Sequence, residues 1–229
     1  NPRAENAATI VLGETDALEI MNRNYPYGGL CPYALSEWYR YLNCGYHLPI
    51  VGGTDKMSAS TAIGMVRTYA KLLENTLSLD TWKQAILAGN TFVTYGPLIE
   101  FSVEGLSAGN SIDLQKGGGK LNVEWEIGSV TVPVTSVELV TNGKVIAREN
   151  ISHILKNNKG NFAVDIKSPS WLAIRVIGKM PDSEEKIMAH SSTVMITIDN
   201  NRCFDSTDGM SILKQIEGVQ GYVQTLGTR

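Results

Sequence analysis

The apolar positions of this chain follow one rhythm up to about residue 97 and another beyond it. In the first stretch, helical stripes alternate with short continuous apolar runs. Asn1-Pro2-Arg3-Ala4-Glu5 reads as a helix N-terminus, with Asn as N-cap and Pro in the first turn. Ala7, Ile10 and Val11 supply its apolar face and Gly13 its stop, so the chain reads as opening inside a helical unit cut from something longer. DALEIMN (Asp16 to Asn22) is a short buried strand, followed by a loop rich in Tyr, Pro and Gly from Tyr25 to Pro32. A second helix carries Leu35, Trp38 and Leu42 on one stripe and stops at Gly45. LPIVGG and VRTYA (Val66 to Ala70) are two further strands. Ser78 caps a helix with Leu79, Trp82, Ala85 and Ile86 at helical spacing, ended by Gly89, and TFVTYGP is a strand stopped by Gly96-Pro97. Helices between short apolar strands predict an α/β unit with parallel strands, present here in part.

From Leu98 the period is two. Ile99, Phe101 and Val103 alternate with polar residues, as do Leu121, Val123, Trp125 and Ile127, then Phe162, Val164 and Ile166. Leu172, Ile174 and Val176 repeat the pattern, and Val194, Ile196 and Ile198 close it. VELVTNGKVIARE (Val137 to Glu149) is a hairpin on Asn142-Gly143, the pair a type I′ turn prefers. So many half-buried strands in one stretch predict a β-sandwich of immunoglobulin-like type. The tail is helical, with Ile212, Ile216, Val219 and Val223 on one face. The expected organisation is an α/β unit over 1–97, an all-β sandwich over 98–200 and a helical tail over 201–229.

Composition narrows the function classes. The 229 residues carry a net charge of −3 with no basic block, so the electrostatic footprint of a nucleic-acid binder is missing. No apolar run approaches the ~20 residues of a membrane-spanning helix. Cys31, Cys44 and Cys203 are scattered, which excludes a disulfide scaffold and a cysteine-based zinc site. His47, His153 and His190 form no HxH, HxxxH or HExxH pattern, and there is no GxSxG; GGGK at 117–120 lacks the Gly spacing and the Ser/Thr of a P-loop. The segment read by itself is catalytically incomplete.

A few residues still stand where chemistry gathers in α/β sheets, at the carboxyl ends of strands. Asp55 follows LPIV on a Gly52-Gly53 pivot and either caps the next turn or holds a ligand. Asn22 ends DALEIMN on the same rim, as a turn former or a substrate contact. Arg67 lies inside a strand, where a charge needs a partner, either a structural carboxylate or an anionic substrate. His190 reads as a satisfied histidine entering the last strand. Trp125 and Trp171 would be the platform of a carbohydrate-binding sandwich, although their alternation points inward to a core.

The blocks EWYRYLNCGYHLPIVGGTDKM, VRTYA and WxxAIxAGNTFVTYGPLIEF, continuing to WLAIRVIG, AHSSTVMITID and the tail, together resemble the C-terminal part of CehA/McbA-type metallohydrolases. These belong to the polymerase-and-histidinol-phosphatase (PHP) superfamily. The resemblance covers nearly the whole chain and rests on the order of the blocks, each of which is weak alone. It implies a distorted (β/α)7-type barrel, of which residues 1–97 would be the C-terminal half. It also implies a cluster of divalent metals (Zn, Mn or Fe) that activates water against phosphoester, amide or carbamate bonds. Asp55 falls on the Asp of the family's late G-[ST]-D motif and would thereby be a metal ligand; Asn22, Arg67 and Tyr95 would border a small-molecule substrate. Met57 stands where many members carry a His, and Tyr95 where relatives tend to carry an Asn. The histidine-rich ligands lie in a half that this sequence lacks, so tight metal binding by these residues alone is not expected. A second copy or the missing N-terminal half would cover the exposed barrel edges. The rival expectation is a non-catalytic module, a sandwich binding carbohydrate or protein on an α/β scaffold.

Overall fold

Short apolar runs near the start of the chain become strands covered on both faces. The computed structural model describes residues 5–22, 29–151 and 157–226. Helix α1 (Glu5–Val11) precedes β1 (Leu18–Asn22), which pairs antiparallel with the two-residue β2 (Gly29–Leu30). Helix α2 (Pro32–Asn43) then leads to β3 (Ile50–Gly52), which lies parallel to β1. Pro32 opens α2 at a position that needs no N–H, and the Cys31 sulfur accepts the Ala34 N–H. The α2 stripe Leu35, Trp38 and Leu42 is buried, as its spacing predicts. Strand β4 (Arg67–Ala70), helix α3 (Leu79–Leu87) and β5 (Thr91–Thr94) follow, with Ser78 and Thr81 forming a reciprocal cap on α3.

The period-two half supplies β6 (Leu98–Val103), β7 (Leu106–Ser107), β8 (Ser111–Leu114), β9 (Gly119–Gly128) and β10 (Val134–Thr141). It continues with β11 (Lys144–Asn150), β12 (Asn158–Ile166), β13 (Ser170–Gly178), β14 (Lys186–Ser191) and β15 (Val194–Ile198), and ends in α4 (Ser206–Leu226). One sheet has the order β12-β9-β6-β7; the larger has the order β11-β10-β13-β14-β5-β4, with β15 and β8 joined through β13. The β10–β11 hairpin turns on Asn142 and Gly143, both at positive φ (46° and 78°) as a type I′ turn requires.

The larger sheet is the middle layer of the molecule. Val137, Leu139, Leu172, Ile174 and Val176 on one face meet Phe101, Val123, Trp125 and Val164 of the smaller sheet, and this is the sandwich core. Val140, Trp171 and Ala173 on the other face meet Trp38, Tyr39 and Leu42 of α2 together with Ile20 and Ile50. Alternation along β10 and β13 therefore serves two cores at once, which is why both strands are buried nearly throughout.

Several expectations for residues 1–97 need correction. Among the described residues of this stretch, β1 and β3 are the only parallel neighbours; β4 and β5 run antiparallel, and β5 hydrogen-bonds antiparallel to β14 of the larger sheet. The sheet thus runs across position 97, and among the described residues no barrel closes. The α3 stripe is only partly covered: Ala85 is buried, whereas Leu79 is 65% and Trp82 40% exposed. In α4, Ile212 is buried and Val223 is 57% exposed, because the packing onto α1 and α2 gives out before the helix does. The predicted cap at Asn1-Pro2 and the histidine at 153 lie outside the described residues.

Candidate functional site

The rim that the sequence singles out is built by backbone and threonine contacts around the end of β3. Met21 of β1 pairs with Gly52, and the Gly53 N–H donates to the Met21 carbonyl at 3.2 Å. The two strands approach so closely that a Cβ on Gly52 would lie 2.8 Å from that carbonyl oxygen, so only glycine fits there. The Gly52 N–H donates to Thr68 Oγ1 at 2.8 Å, and the Thr68 hydroxyl returns a bond to the Gly52 carbonyl at 2.7 Å. Two side-chain bonds thereby join β3 to β4 where no strand ladder does.

Thr54 fixes the loop that follows. Its hydroxyl donates to the Val66 carbonyl at 3.2 Å and accepts the Gly64 N–H at 3.0 Å and the Val66 N–H at 3.4 Å. Lys56 reaches across the same loop and donates to the carbonyls of Thr61 and Ala59. Asp55 stands between these two anchors, exposed and with φ of 48°, a left-handed conformation that Asp tolerates better than most residues. We expect Thr54→Val, which keeps the shape and removes the hydroxyl, to cost about 1–3 kcal/mol by leaving two N–H groups unpaired. Hydrogen exchange should rise over residues 54–66 and not in the sandwich; unchanged exchange there would dismiss Thr54 as the anchor.

The four predicted site residues border this rim unequally. Arg67 opens β4 and faces solvent, so no core carboxylate is needed to pair it, contrary to its expected burial in a strand. Its guanidinium lies 5.8 Å from the centroid of the Tyr69 ring, which is itself stacked on Phe92. Arg67 pairs across the ladder with Thr94, and Tyr95 follows at the same end, with its N–H on the Met188 carbonyl and its side chain against the α2 core. Asn22 ends β1 beside Gly53, yet its amide donates to Glu19 at 2.9 Å and looks into a small cavity lined by Leu18, Ile20, Ala34 and Tyr41. The rim therefore gathers Asp55, Arg67 and the backbone before Tyr95, while the Asn22 side chain turns to the α2 face.

The remaining candidates are structural. Trp171 is fully buried and Trp125 nearly so (3% exposed), which removes both from any sugar platform. His190 is buried on the α2 face of the larger sheet. Its Nδ1 donates to the Ser191 carbonyl at 2.8 Å, and its Nε2 accepts the Tyr39 hydroxyl at 2.6 Å. Burial, reinforced by the Arg175 guanidinium, holds its pKa down to about 3, and burial pushes the Tyr39 phenol well above its ordinary value. Arg175 is in turn paired with Glu138, which Arg148 also approaches. The sequence showed the histidine and the two arginines, but no pattern in it linked them to Tyr39; that link comes from α2 docking across β10, β13 and β14.

No family model matches this sequence, and no curated protein does. Among solved structures the chain is similar to the C-terminal domain of Wzt, at 11% identity, over 48% of this chain and 77% of that one, with a TM-score of 0.32. It is also similar to fibronectin(III)-like modules of CbhA from Clostridium thermocellum (11% identity, 44% and 98% covered, TM-score 0.30). The CARDB domain of PF1109 from Pyrococcus furiosus is comparable (13% identity, 45% and 89% covered, TM-score 0.30). Likenesses this distant carry nothing about activity, and the β-sandwich with its C-terminal helix stands on the strand pairing described above.

Proposed function

We propose that this chain is the C-terminal part of a PHP-type metal-dependent hydrolase acting on phosphoester, amide or carbamate bonds, with Asp55 as one ligand of its metal cluster. The observation that supports the reading is the rim itself. A carboxylate leaves the carboxyl end of a parallel strand on a Gly-Gly pivot, and its loop is anchored on both sides by Thr54 and Lys56.

The donors around Asp55 do not complete a metal site. Among the described residues no group of three or more His, Cys, Asp or Glu side chains is placed to hold an ion. Asp55 would thus need ligands from another segment or chain, and this chain's part would be to hold one carboxylate in place and to border the substrate. The sandwich, continuous with the rim through β5, would keep β4 and the Asp55 loop rigid.

The test is elemental analysis of the natural gene product, with whatever flanks or accompanies these residues. Stoichiometric Zn, Mn or Fe is expected, with Asp55→Ala weakening metal retention roughly ten- to a hundred-fold or more while the fold persists. A natural product free of metal, or one that Asp55→Ala leaves fully loaded, would overturn the reading.

A further inference from the structure

We propose that the open edge of β6 is a strand-addition site, which takes an extended segment of another polypeptide in which apolar residues alternate with basic ones. The site belongs to the sandwich half and stands independently of the hydrolase reading.

The edge is open because the chain changes sheets. On one side β6 is laddered to β9 along its whole length, from Leu98 to Val103, whereas on the other side β7 reaches only Ser102 and Val103. After Ser107 the chain crosses to the larger sheet, where the Gly109 N–H donates to the Thr193 carbonyl at 2.8 Å. A Cβ on Gly109 would lie 2.1 Å from the Ala88 carbonyl oxygen, so close backbone contact fixes the crossing and β7 cannot run on beside β6. Backbone groups alternate along a strand, so the hairpin that joins Val103 to Leu106 turns the N–H and C=O of Ile99 and Phe101 to the same side. Among the described residues no strand receives them. An edge of this kind is a template for a further strand.

The surroundings of that edge specify the incoming strand. A cleft of about 200 Å³ opens beside it between the two sheets, with Ile99 and Phe101 on one wall and Tyr69 and Phe92 on the other. The two rings of the second wall are stacked, 5.0 Å apart at 6°. An apolar cavity of ~150 Å³ already holds a benzene ring, so one valine, leucine or phenylalanine side chain has room to enter. The next residue of an added strand points to the outer face, beside Glu100. That face carries Glu100, Glu124 and Glu126 against Lys71 and Lys159. Glu100 stands directly across from Glu126, and Lys71, 3.4 Å from Glu100, is the one base that pairs with these acids among the described residues. A basic side chain on the open flank of Glu100 would relieve the repulsion between two opposed carboxylates, which sets the second half of the partner's chemistry.

The probe is an acetylated synthetic peptide of about eight residues that alternates valine with lysine, titrated into the full chain and followed by calorimetry and amide hydrogen exchange. Saturable binding is expected, with exchange slowed about ten-fold or more at Ile99 and Phe101. N-methylation of one alternate set of residues, the valines in an antiparallel pair, should abolish binding, while N-methylation of the other set is tolerated. Replacing the lysines by glutamates should weaken binding about ten-fold or more, and Glu100→Lys, an exposed change that leaves the core intact, should erase that preference. No binding, equal response to both N-methylated peptides, or protection that spares Ile99 and Phe101 would overturn the proposal. Protection of the same two amides that grows with protein concentration without peptide would overturn the choice of partner, since a second copy would then occupy the edge.

Discussion

Trp171→Ala is expected to destabilise the fold by about 3–5 kcal/mol, the range for truncating a large buried aromatic. Trp171 has no exposed surface and lies between α2 and the larger sheet, 4.9 Å from the Tyr39 ring and 6.2 Å from that of Trp38. Its indole N–H donates to Asn43 Oδ1 at 2.8 Å, at the last residue of α2, so truncation also removes a hydrogen bond from a half-buried acceptor. The loss should appear in urea unfolding as a lower midpoint. Trp171→Phe should recover more than half of it, because most of the contact area returns without the N–H. A loss below 1 kcal/mol would mean that α2 docks by other contacts.

Trp171 illustrates how much the sequence discloses and where it stops. Period two along WLAIRVIG is enough to identify β13 and to point Leu172, Ile174 and Val176 towards the sandwich. It does not say that the opposite face, Trp171 and Ala173, is covered as well, because that depends on which helix returns over the sheet. Asn142-Gly143 fixes its hairpin because type I′ geometry is a local demand of two residues. The direction of β5 is not local: TFVT fits a parallel or an antiparallel neighbour equally well, and its pairing with β14 is settled by residues about a hundred positions away. The candidate site divides in the same way. Asp55 on its Gly-Gly pivot is legible, since glycine is needed where β3 crowds Met21. The Thr54 anchor and the Tyr69 seat of Arg67 are not, because threonine and tyrosine occur in strands for many reasons. The exposure of Leu79 and Trp82 on α3 is not legible either, because helical periodicity reports an apolar face and not whether anything covers it.

Acid should weaken the fold through His190 by about 1.4 kcal/mol for each pH unit between 6.5 and its folded-state pKa of about 3. The imidazole is fully buried against Trp38, and its Nε2 serves as acceptor for Tyr39, so the neutral ring is the one the site accommodates. The groups facing it favour neutrality too: Arg175 pairs with it across β13 and β14, and the Glu138 carboxylate that meets Arg175 is already committed to Arg175 and Arg148. In the unfolded chain the same histidine takes up its proton near pH 6.5. Its folded-state pKa is depressed, so the unfolded state binds the proton first as pH falls. The stabilisation is therefore complete above about 6.5 and drains away towards about 3, which makes roughly 2–3 kcal/mol at pH 4.5. Ordinary carboxylates also titrate in this window, so the informative quantity is the difference between the wild type and His190→Gln. The variant should start less stable at pH 7 and lose stability less steeply between pH 6.5 and 4. Tyr39→Phe should lower stability at neutral pH while keeping the slope, since the buried ring that resists protonation remains. Parallel pH profiles for the wild type and His190→Gln would show that this histidine is not what makes the fold sensitive to acid.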